Sequence, residues 1–222
     1  MSRKEIICGL SYLAIQLLFL PILLLFVNSL LGSPLSDAQI NFVYFGVDFL
    51  CVTLIFHRFL LNSAKQAVAD IFRCLRFAAI GFVLYWVGSS VMSMGIYYFY
   101  PEFYNVNDQS IMEMTQQNQT LMTIGTVLLV PVVEETLYRG VIFGGLYRCN
   151  RMIAYIVSTV VFSALHVVGY IGYYEPLHLV MCFLQYIPAG ICLAFAYVKA
   201  DTIWAPILMH MSINQIGILA TR

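Results

Sequence analysis

Two adjacent carboxylates and an arginine interrupt an apolar stretch of the chain. Residues 130–139 read VPVVEETLYR, so Glu134 and Glu135 are neighbours and Arg139 follows four residues after Glu135. On a helix Glu135 and Arg139 share a face and can form an ion pair, whereas Glu134 points about 100° away. We therefore predict that Glu135 and Arg139 form an ion pair and that Glu134 has no ionic partner on its own helix.

Two later stretches carry polar side chains one helical turn apart. FSALH ends at His166, and HMSIN begins at His210 and ends at Asn214. Counting about 1.5 Å per residue from the nearest charged ends puts Glu134, His166 and Asn214 at similar depth in their helices, with His210 shallower. These groups are expected to meet in one layer. A carboxylate, two imidazoles and an amide supply a general base and oxyanion donors for water-mediated amide hydrolysis.

The same donors could bind a metal, since glutamate and histidine are both zinc ligands. However, the sequence contains no His-Glu-x-x-His motif, and His166 and His210 lie on different predicted helices. We therefore predict no metal ligands and no cofactor, and zinc is the disfavoured alternative.

The composition is that of a membrane protein. Of 222 residues 61% are hydrophobic and 10% are charged, whereas soluble domains carry about 25% charged residues. Seven apolar segments are long enough to cross a bilayer: residues 6–31, 40–61, 77–100, 121–147, 152–170, 177–198 and 203–220. We predict an all-α fold, a polytopic membrane helical bundle of about seven transmembrane helices, forming one domain over residues 1–222.

The distribution of basic residues predicts how the chain is oriented in the membrane. Nine of the eleven basic residues fall on one side of the alternating topology, which the positive-inside rule makes cytoplasmic together with the amino terminus: Arg3, Lys4, Arg58, Lys65, Arg73, Arg76, Arg148, Arg151 and Lys199. Arg222 is expected at the outer end. Residues 64–76 are predicted to form an amphipathic helix on the inner leaflet, and the polar residues 101–120 to be a mobile outer loop. The balanced charge excludes nucleic acid as a partner.

The three motifs together resemble a known family. VVEETLYRGVIFGGLYR, FSALH and HMSIN, in this order over residues 121–217, are similar to the motifs of the CPBP family of CAAX proteases and bacteriocin-processing enzymes, also called the ABI family. The resemblance implies an α-helical intramembrane protease of the glutamic type. By position, Glu134 and His166 would activate water, His210 and Asn214 would hold the oxyanion, and Glu135 and Arg139 would brace the site. Residues 1–119, with the first three spans, lie outside it.

The expected function is hydrolysis of a peptide bond in a hydrophobic, lipidated or membrane-delivered peptide within a bacterial cell membrane. CAAX-type processing and the processing of bacteriocin or signalling peptides both remain open. The alternative is a non-proteolytic protein of the same family, either a bacteriocin self-immunity protein or a regulator that binds a sensor kinase or a transporter. Phe162 is predicted to pack beside the site, and Asp48 is interpreted as a satisfied interior acid in preference to a proton path.

Overall fold

Helices occupy nearly all of the computed structural model, which describes residues 1–32 and 35–220, without the side chain of residue 220. In chain order they are α1 Arg3–Leu18, α2 Leu20–Leu30, α3 Asp37–Ile55, α4 His57–Ala69, α5 Ile71–Phe99, α6 Val106–Gln117, α7 Gln119–Tyr147, α8 Arg151–Leu165, α9 Pro176–Ala200 and α10 Trp204–Ala220. Within the described residues the β pairing is limited to one isolated bridge. The predicted all-α fold is confirmed. Arg222, predicted at the outer end, lies outside the described residues.

The described helices include five that are long and apolar enough to cross a membrane. These are α3, α5, α7, α8 with the turn that follows it, and α9. The pair α1–α2, bent by 41°, counts as a sixth if it forms one broken span. Its break lies at Phe19, just before Pro21, which cannot donate a backbone hydrogen bond. The chain is thus an integral membrane bundle. The seventh predicted span corresponds to α10, which at 17 residues is shorter than each of these five spans.

Two connections differ from the sequence-based expectations. The predicted amphipathic helix over 64–76 was placed too late, because α4 ends at Ala69 and the side chain of Asp70 caps α5 by accepting from Arg73 N at 3.1 Å. The outer segment contains helix α6 in place of a mobile loop. The side chain of Asn105 caps this helix by accepting hydrogen bonds from the backbone N–H groups of Asn107 and Asp108. Buried Val106 and Met114 anchor the helix.

Helix α9 lies at the centre of the bundle and packs along α5, α8 and α10. It approaches α8 closely at Gly190, where a Cβ atom would lie 2.8 Å from Thr159 Cγ2 and 3.1 Å from Thr159 Cα. The main hydrophobic core joins both halves of the chain, since Tyr12 and Val52 pack in one cluster with residues of α7, α9 and α10. The motif-bearing helices therefore share their packing with the amino-terminal spans.

Helix α7 has π-helical stretches on both sides of the carboxylates, at Ile124–Leu129 and Thr136–Phe143. The first precedes Pro131, and there Val130 N donates to Gly125 O, five residues back. Continuing this pattern would require an N–H on Pro131 to reach Thr126 O, and proline has none. The carbonyl of Thr126 is consequently left for a partner outside α7. Short π-helical stretches within α-helices are frequent at functional sites.

Candidate active site

The carboxylate of Glu135 lies at the centre of the site and binds two cationic or potentially cationic groups. Arg139 Nη1 donates to Oε1 at 3.2 Å, and Nε lies 3.2 Å from Oε2. The four-residue spacing thus produces the predicted pair. His210 Nδ1 also donates to Oε1, at 2.8 Å, a contact that the sequence did not predict. Both side chains of the pair are fully buried, so the ion pair is shielded from water.

Arg139 ties α7 to two further helices. Its Nη2 donates to Gly190 O on α9 at 3.3 Å. Its guanidinium lies 4.5 Å above the ring of Phe162 on α8, close enough for a cation–π interaction. The Phe162 ring also contacts His166 and His210, with centroids 4.5 and 6.1 Å away. Phe162 is therefore packed between the ion pair and both histidines.

Asn214 satisfies the carbonyl that Pro131 leaves free. Its Nδ2 donates to Thr126 O at 2.8 Å, which fixes the orientation of the amide, because a carbonyl can only accept. One N–H and the carbonyl oxygen of the Asn214 amide remain for other partners. The contact joins α10 to α7 about two turns before the carboxylates.

His166 lies within the span predicted over 152–170, immediately after Leu165, the last residue of α8. Its Nδ1 donates to Phe162 O at 2.7 Å, so the imidazole satisfies a carbonyl that the end of the helix leaves unpaired. A neutral His166 then carries its lone pair on Nε2. The ring stacks on Tyr186, with centroids 4.2 Å apart.

Glu134 is rotated away from the ion pair, as the helical spacing predicts. It is half-buried, and its Oε2 is buried without a hydrogen-bond partner. Unsatisfied buried polar atoms are rare in folded proteins and are often associated with catalytic roles or with water. In this respect Glu134 differs from its neighbour Glu135, whose carboxylate accepts hydrogen bonds from Arg139 and His210.

The structure brings the four residues with predicted chemical roles to one cavity of about 980 Å³. Glu134, His166, His210 and Asn214 all line it, together with Phe162. Helices α5, α6, α9 and α10 supply most of its wall, with serines, asparagines and aromatic rings. The described lining includes Asp108 but neither lysine nor arginine. This cavity can hold a neutral or cationic peptide segment beside a carboxylate and two imidazoles.

Sequence reasoning missed the polar cluster that covers this cavity. Tyr186 on α9 donates to Asp108 Oδ1 at 2.9 Å, and it accepts from Asn107 Nδ2 at 3.1 Å. Because Tyr186 also stacks on His166, the cluster connects the start of α6 to an imidazole of the site. The tyrosine lies in an apolar run without a characteristic spacing. Its role follows only from the fold.

Among the described residues, no group of three or more His, Cys, Asp or Glu side chains is arranged to bind a metal ion. Both histidines use Nδ1 for contacts within the protein, with Glu135 and with Phe162 O. Each therefore offers a single nitrogen to any ligand. The absence of a cofactor stays a prediction.

A known protein family matches the part of the chain that contains the three motifs. Residues 116–216 match the sequence model of the family described as Type II CAAX prenyl endopeptidase Rce1-like. This stretch runs from the end of α6 into α10 and contains Glu134, Glu135, Arg139, Phe162, His166, His210 and Asn214. The resemblance to the CAAX protease family is confirmed over this part of the chain.

Two curated relatives are similar over part of their length. "Putative membrane peptidase YdiL" of Bacillus subtilis (strain 168) is 32% identical over 114 residues, which is 51% of this chain and 42% of the relative. "UPF0177 protein YxdF" of Lactococcus lactis subsp. lactis (strain IL1403) is 29% identical over 90 residues, 40% of this chain and 44% of the relative. The similarity thus covers less than half of each relative. No solved structure matches the chain significantly.

The Glu135–Arg139 pair predicts an asymmetric response of stability to mutation. Removing one partner of a buried ion pair costs about 3–5 kcal/mol, because the other charge is left without compensation. Glu135→Gln should therefore lower the melting temperature in detergent markedly. The additional change Arg139→Gln should recover part of the loss, since the stranded charge is gone.

Glu134→Gln is the matched control, because it removes the neighbouring carboxylate without breaking an ion pair. It should melt close to the wild type. A Glu134→Gln protein that melts far below the Glu135→Gln protein would show that the structural role belongs to Glu134.

Proposed function

We propose that the chain is an intramembrane endopeptidase that hydrolyses a peptide bond with a water molecule activated by Glu134 and His166. The observation that carries this proposal is the unpartnered carboxylate oxygen of Glu134 in a cavity also lined by His166, His210 and Asn214. A carboxylate in this setting is available to take a proton from water. Water would attack the peptide carbonyl, and Glu134 would return the proton to the leaving amine.

The hydrogen bonds of the two histidines support different roles. His166 donates Nδ1–H to Phe162 O, so a neutral ring offers a lone pair on Nε2 with which to orient the water. His210 donates Nδ1–H to Glu135, so its Nε2 can donate to an oxyanion only when the ring is protonated. A protonated His210 would balance the charge of the site, with Glu134 and Glu135 against Arg139 and His210.

Asn214 completes the oxyanion site in this proposal. One N–H of its amide is bound to Thr126 O, which holds the side chain in place. The other N–H is available for the oxyanion that develops when water attacks. A preorganised donor of this kind contributes about 2.7–4 kcal/mol to transition-state stabilisation in other hydrolases.

The substrate class that we propose is a hydrophobic, lipidated or membrane-delivered peptide. CAAX-type proteins and precursors of bacteriocins or signalling peptides both fall within this class. The aromatic residues of α5 that line the cavity, including Tyr85 and Trp86, suit apolar side chains, and Ser89 and Ser93 suit the peptide backbone. At about 980 Å³ the cavity is at the upper end of small-molecule sites and accommodates a short peptide segment.

The alternative is a non-proteolytic role in bacteriocin self-immunity or in binding a sensor kinase or a transporter. The contacts of Glu135, Arg139 and Asn214 also hold helices together, so these residues would serve a binding protein as well. Glu134 separates the two proposals, because its unpaired oxygen contributes no contact between helices. A binding protein would not need this carboxylate.

Glu134→Gln should therefore abolish cleavage of internally quenched apolar peptides in liposomes. Loss of a general base lowers kcat by about 10²–10⁴-fold, and the fold should persist. Glu113→Gln is the matched control, since Glu113 is exposed and bonds only to Gln109 in the described contacts. It should cleave like the wild type. Unchanged cleavage by the Glu134→Gln protein would refute the proposed mechanism.

We further propose that no metal takes part in the reaction. The purified protein should contain substoichiometric zinc and should keep its activity in chelator, because Glu134, His166, His210 and Asn214 suffice for the proposed steps. Metal content and cleavage rate are measured before and after dialysis against EDTA. One tightly bound zinc per chain, with activity lost on removal and restored by zinc, would contradict the glutamic mechanism.

The protein is proposed to lie in a bacterial cell membrane with its amino terminus in the cytoplasm. Both curated relatives come from bacteria. Contacts between segments predicted to be cytoplasmic support this topology, since Arg73 Nε donates to Lys199 O at 2.8 Å and Ser63 Oγ lies 3.0 Å from Thr202 Oγ1. The positive-inside rule then orients this face inwards.

Gln66→Cys, in a protein with Cys8 and Cys149 replaced by serine, tests the orientation. A membrane-impermeant maleimide should label position 66 only after the cells are permeabilised, because α4 is predicted to face the cytoplasm. Glu102→Cys, on the opposite side, should be labelled in intact cells. Efficient labelling of position 66 in intact cells would reverse the topology.

A further inference from the structure

Two cavities meet at Glu134. Besides the large cavity, a second cavity of about 120 Å³ lies between α1, α3 and α7. Glu134 lines both, as do Phe45, Val130 and Leu165. His166, His210 and Asn214 line only the large one. Glu134 thus lies between the predicted catalytic partners and a smaller adjoining space that α1, α3 and α7 line.

The smaller cavity is lined in part by polar side chains although it lies among membrane helices. Its lining includes the side chains of Gln16 on α1, Tyr44 and Asp48 on α3, and Tyr138 on α7. Asp48 is 3% exposed, and its Oδ1 accepts from Tyr12 at 2.6 Å. The Tyr44 hydroxyl lies 3.5 Å from the main-chain oxygen of Gln16. We call this cavity the polar chamber.

Gln16 contributes a buried amide to the polar chamber. The side chain is 5% exposed, and its Oε1 is buried without a hydrogen-bond partner. An unpaired amide oxygen in an apolar setting destabilises the fold, and ordered water nearby reduces that penalty. Polar cavities of sufficient size hold water, whereas apolar cavities stay dry. A volume of about 120 Å³ has room for roughly four waters at about 30 Å³ each.

We propose that the polar chamber holds the water that is consumed in hydrolysis and delivers it to Glu134 from the side of α1 and α3. This inference rests on the proposed endopeptidase function. Each cleaved bond consumes one water: its hydroxyl joins the carbonyl carbon, and its proton passes through Glu134 to the leaving amine. A peptide bound in the large cavity displaces the water there. The next water therefore reaches Glu134 from the polar chamber.

The proposal gives the amino-terminal spans a function. Gln16, Tyr44 and Asp48 lie outside residues 116–216, the stretch that matches the CAAX protease family. They are water-positioning residues in this account and do not touch the substrate. Asp48, first interpreted as a satisfied interior acid, is bonded to Tyr12 and also faces the chamber.

Radiolytic hydroxyl-radical footprinting of the detergent-solubilised protein tests whether the chamber is wet. Bound water beside a side chain promotes its oxidation, so Tyr44 should be oxidised in the wild type. Gln16→Leu replaces the unpaired amide by an apolar group of similar size, and oxidation of Tyr44 should fall at least fivefold. Gln116→Leu is the matched control, because Gln116 is exposed and lines neither cavity. This change should leave the oxidation of Tyr44 unchanged. A Tyr44 that is not oxidised in the wild type would overturn the proposal.

Kinetics with the internally quenched peptides test whether this water is used. Gln16→Leu should lower kcat at least tenfold and leave KM within twofold, because Gln16 does not line the substrate cavity. Its melting temperature should be unchanged or higher, since an unpaired buried polar atom is removed. A merely structural role would lower the melting temperature together with activity. An unchanged kcat would refute the delivery of water from the chamber.

The two proposals fail in different ways. Full kcat in the Gln16→Leu protein with no cleavage by the Glu134→Gln protein refutes the chamber and leaves the proposed function intact. Undiminished cleavage by the Glu134→Gln protein refutes the function of Glu134 whatever the Gln16 result.

Discussion

Glu135 carries a negative charge in the driest part of the bundle, where it accepts hydrogen bonds from Arg139 and His210. Transferring one of these charges alone from water to an apolar interior costs several kcal/mol, so each depends on the other. Arg139 extends the contact to Gly190 O and to the face of Phe162. Four helices, α7 to α10, are therefore held in register around one carboxylate. The adjacent Glu134 is left outside this ion pair, which suits the proton-acceptor role proposed for it.

The backbone of α7 contributes a second constraint. The π-helical stretch before Pro131 and the absence of an N–H on that proline leave Thr126 O to be satisfied by Asn214. A helix defect and a polar side chain on another helix thus compensate each other within the bundle, where an unpaired backbone group is costly. This contact and the Glu135–His210 bond attach α10 to α7 at two points. Both residues assigned to the oxyanion are thereby positioned by α7.

The sequence predicted those parts of the site that depend on local spacing. The Glu135–Arg139 pair follows from helical periodicity, and the depth count predicted that Glu134, His166 and Asn214 would meet. The bond between His210 and Glu135 was not predictable, because it depends on how α10 packs on α7. The prediction of one amphipathic helix over residues 64–76 was wrong, because Asp70 acts as an N-cap and starts a new helix, α5, within that pattern.

The polar chamber shows why the amino-terminal half was harder to interpret. Gln16 and Asp48 are single polar residues on apolar helices, and nothing in their spacing indicates a common cavity. Only the packing of α1 and α3 against α7 brings them to Glu134. The fold class needed only composition and segment length, whereas this arrangement needed the tertiary structure.

The central claim is that Glu134 activates water and does not itself attack the substrate. A single turnover with enzyme in excess in ¹⁸O-labelled water tests it, with mass spectrometry of the product and of the enzyme peptide that contains Glu134. The account predicts one ¹⁸O in the new carboxylate of the product and none in Glu134. Unlabelled product together with ¹⁸O in the Glu134 side chain would show a covalent acyl intermediate and contradict the account.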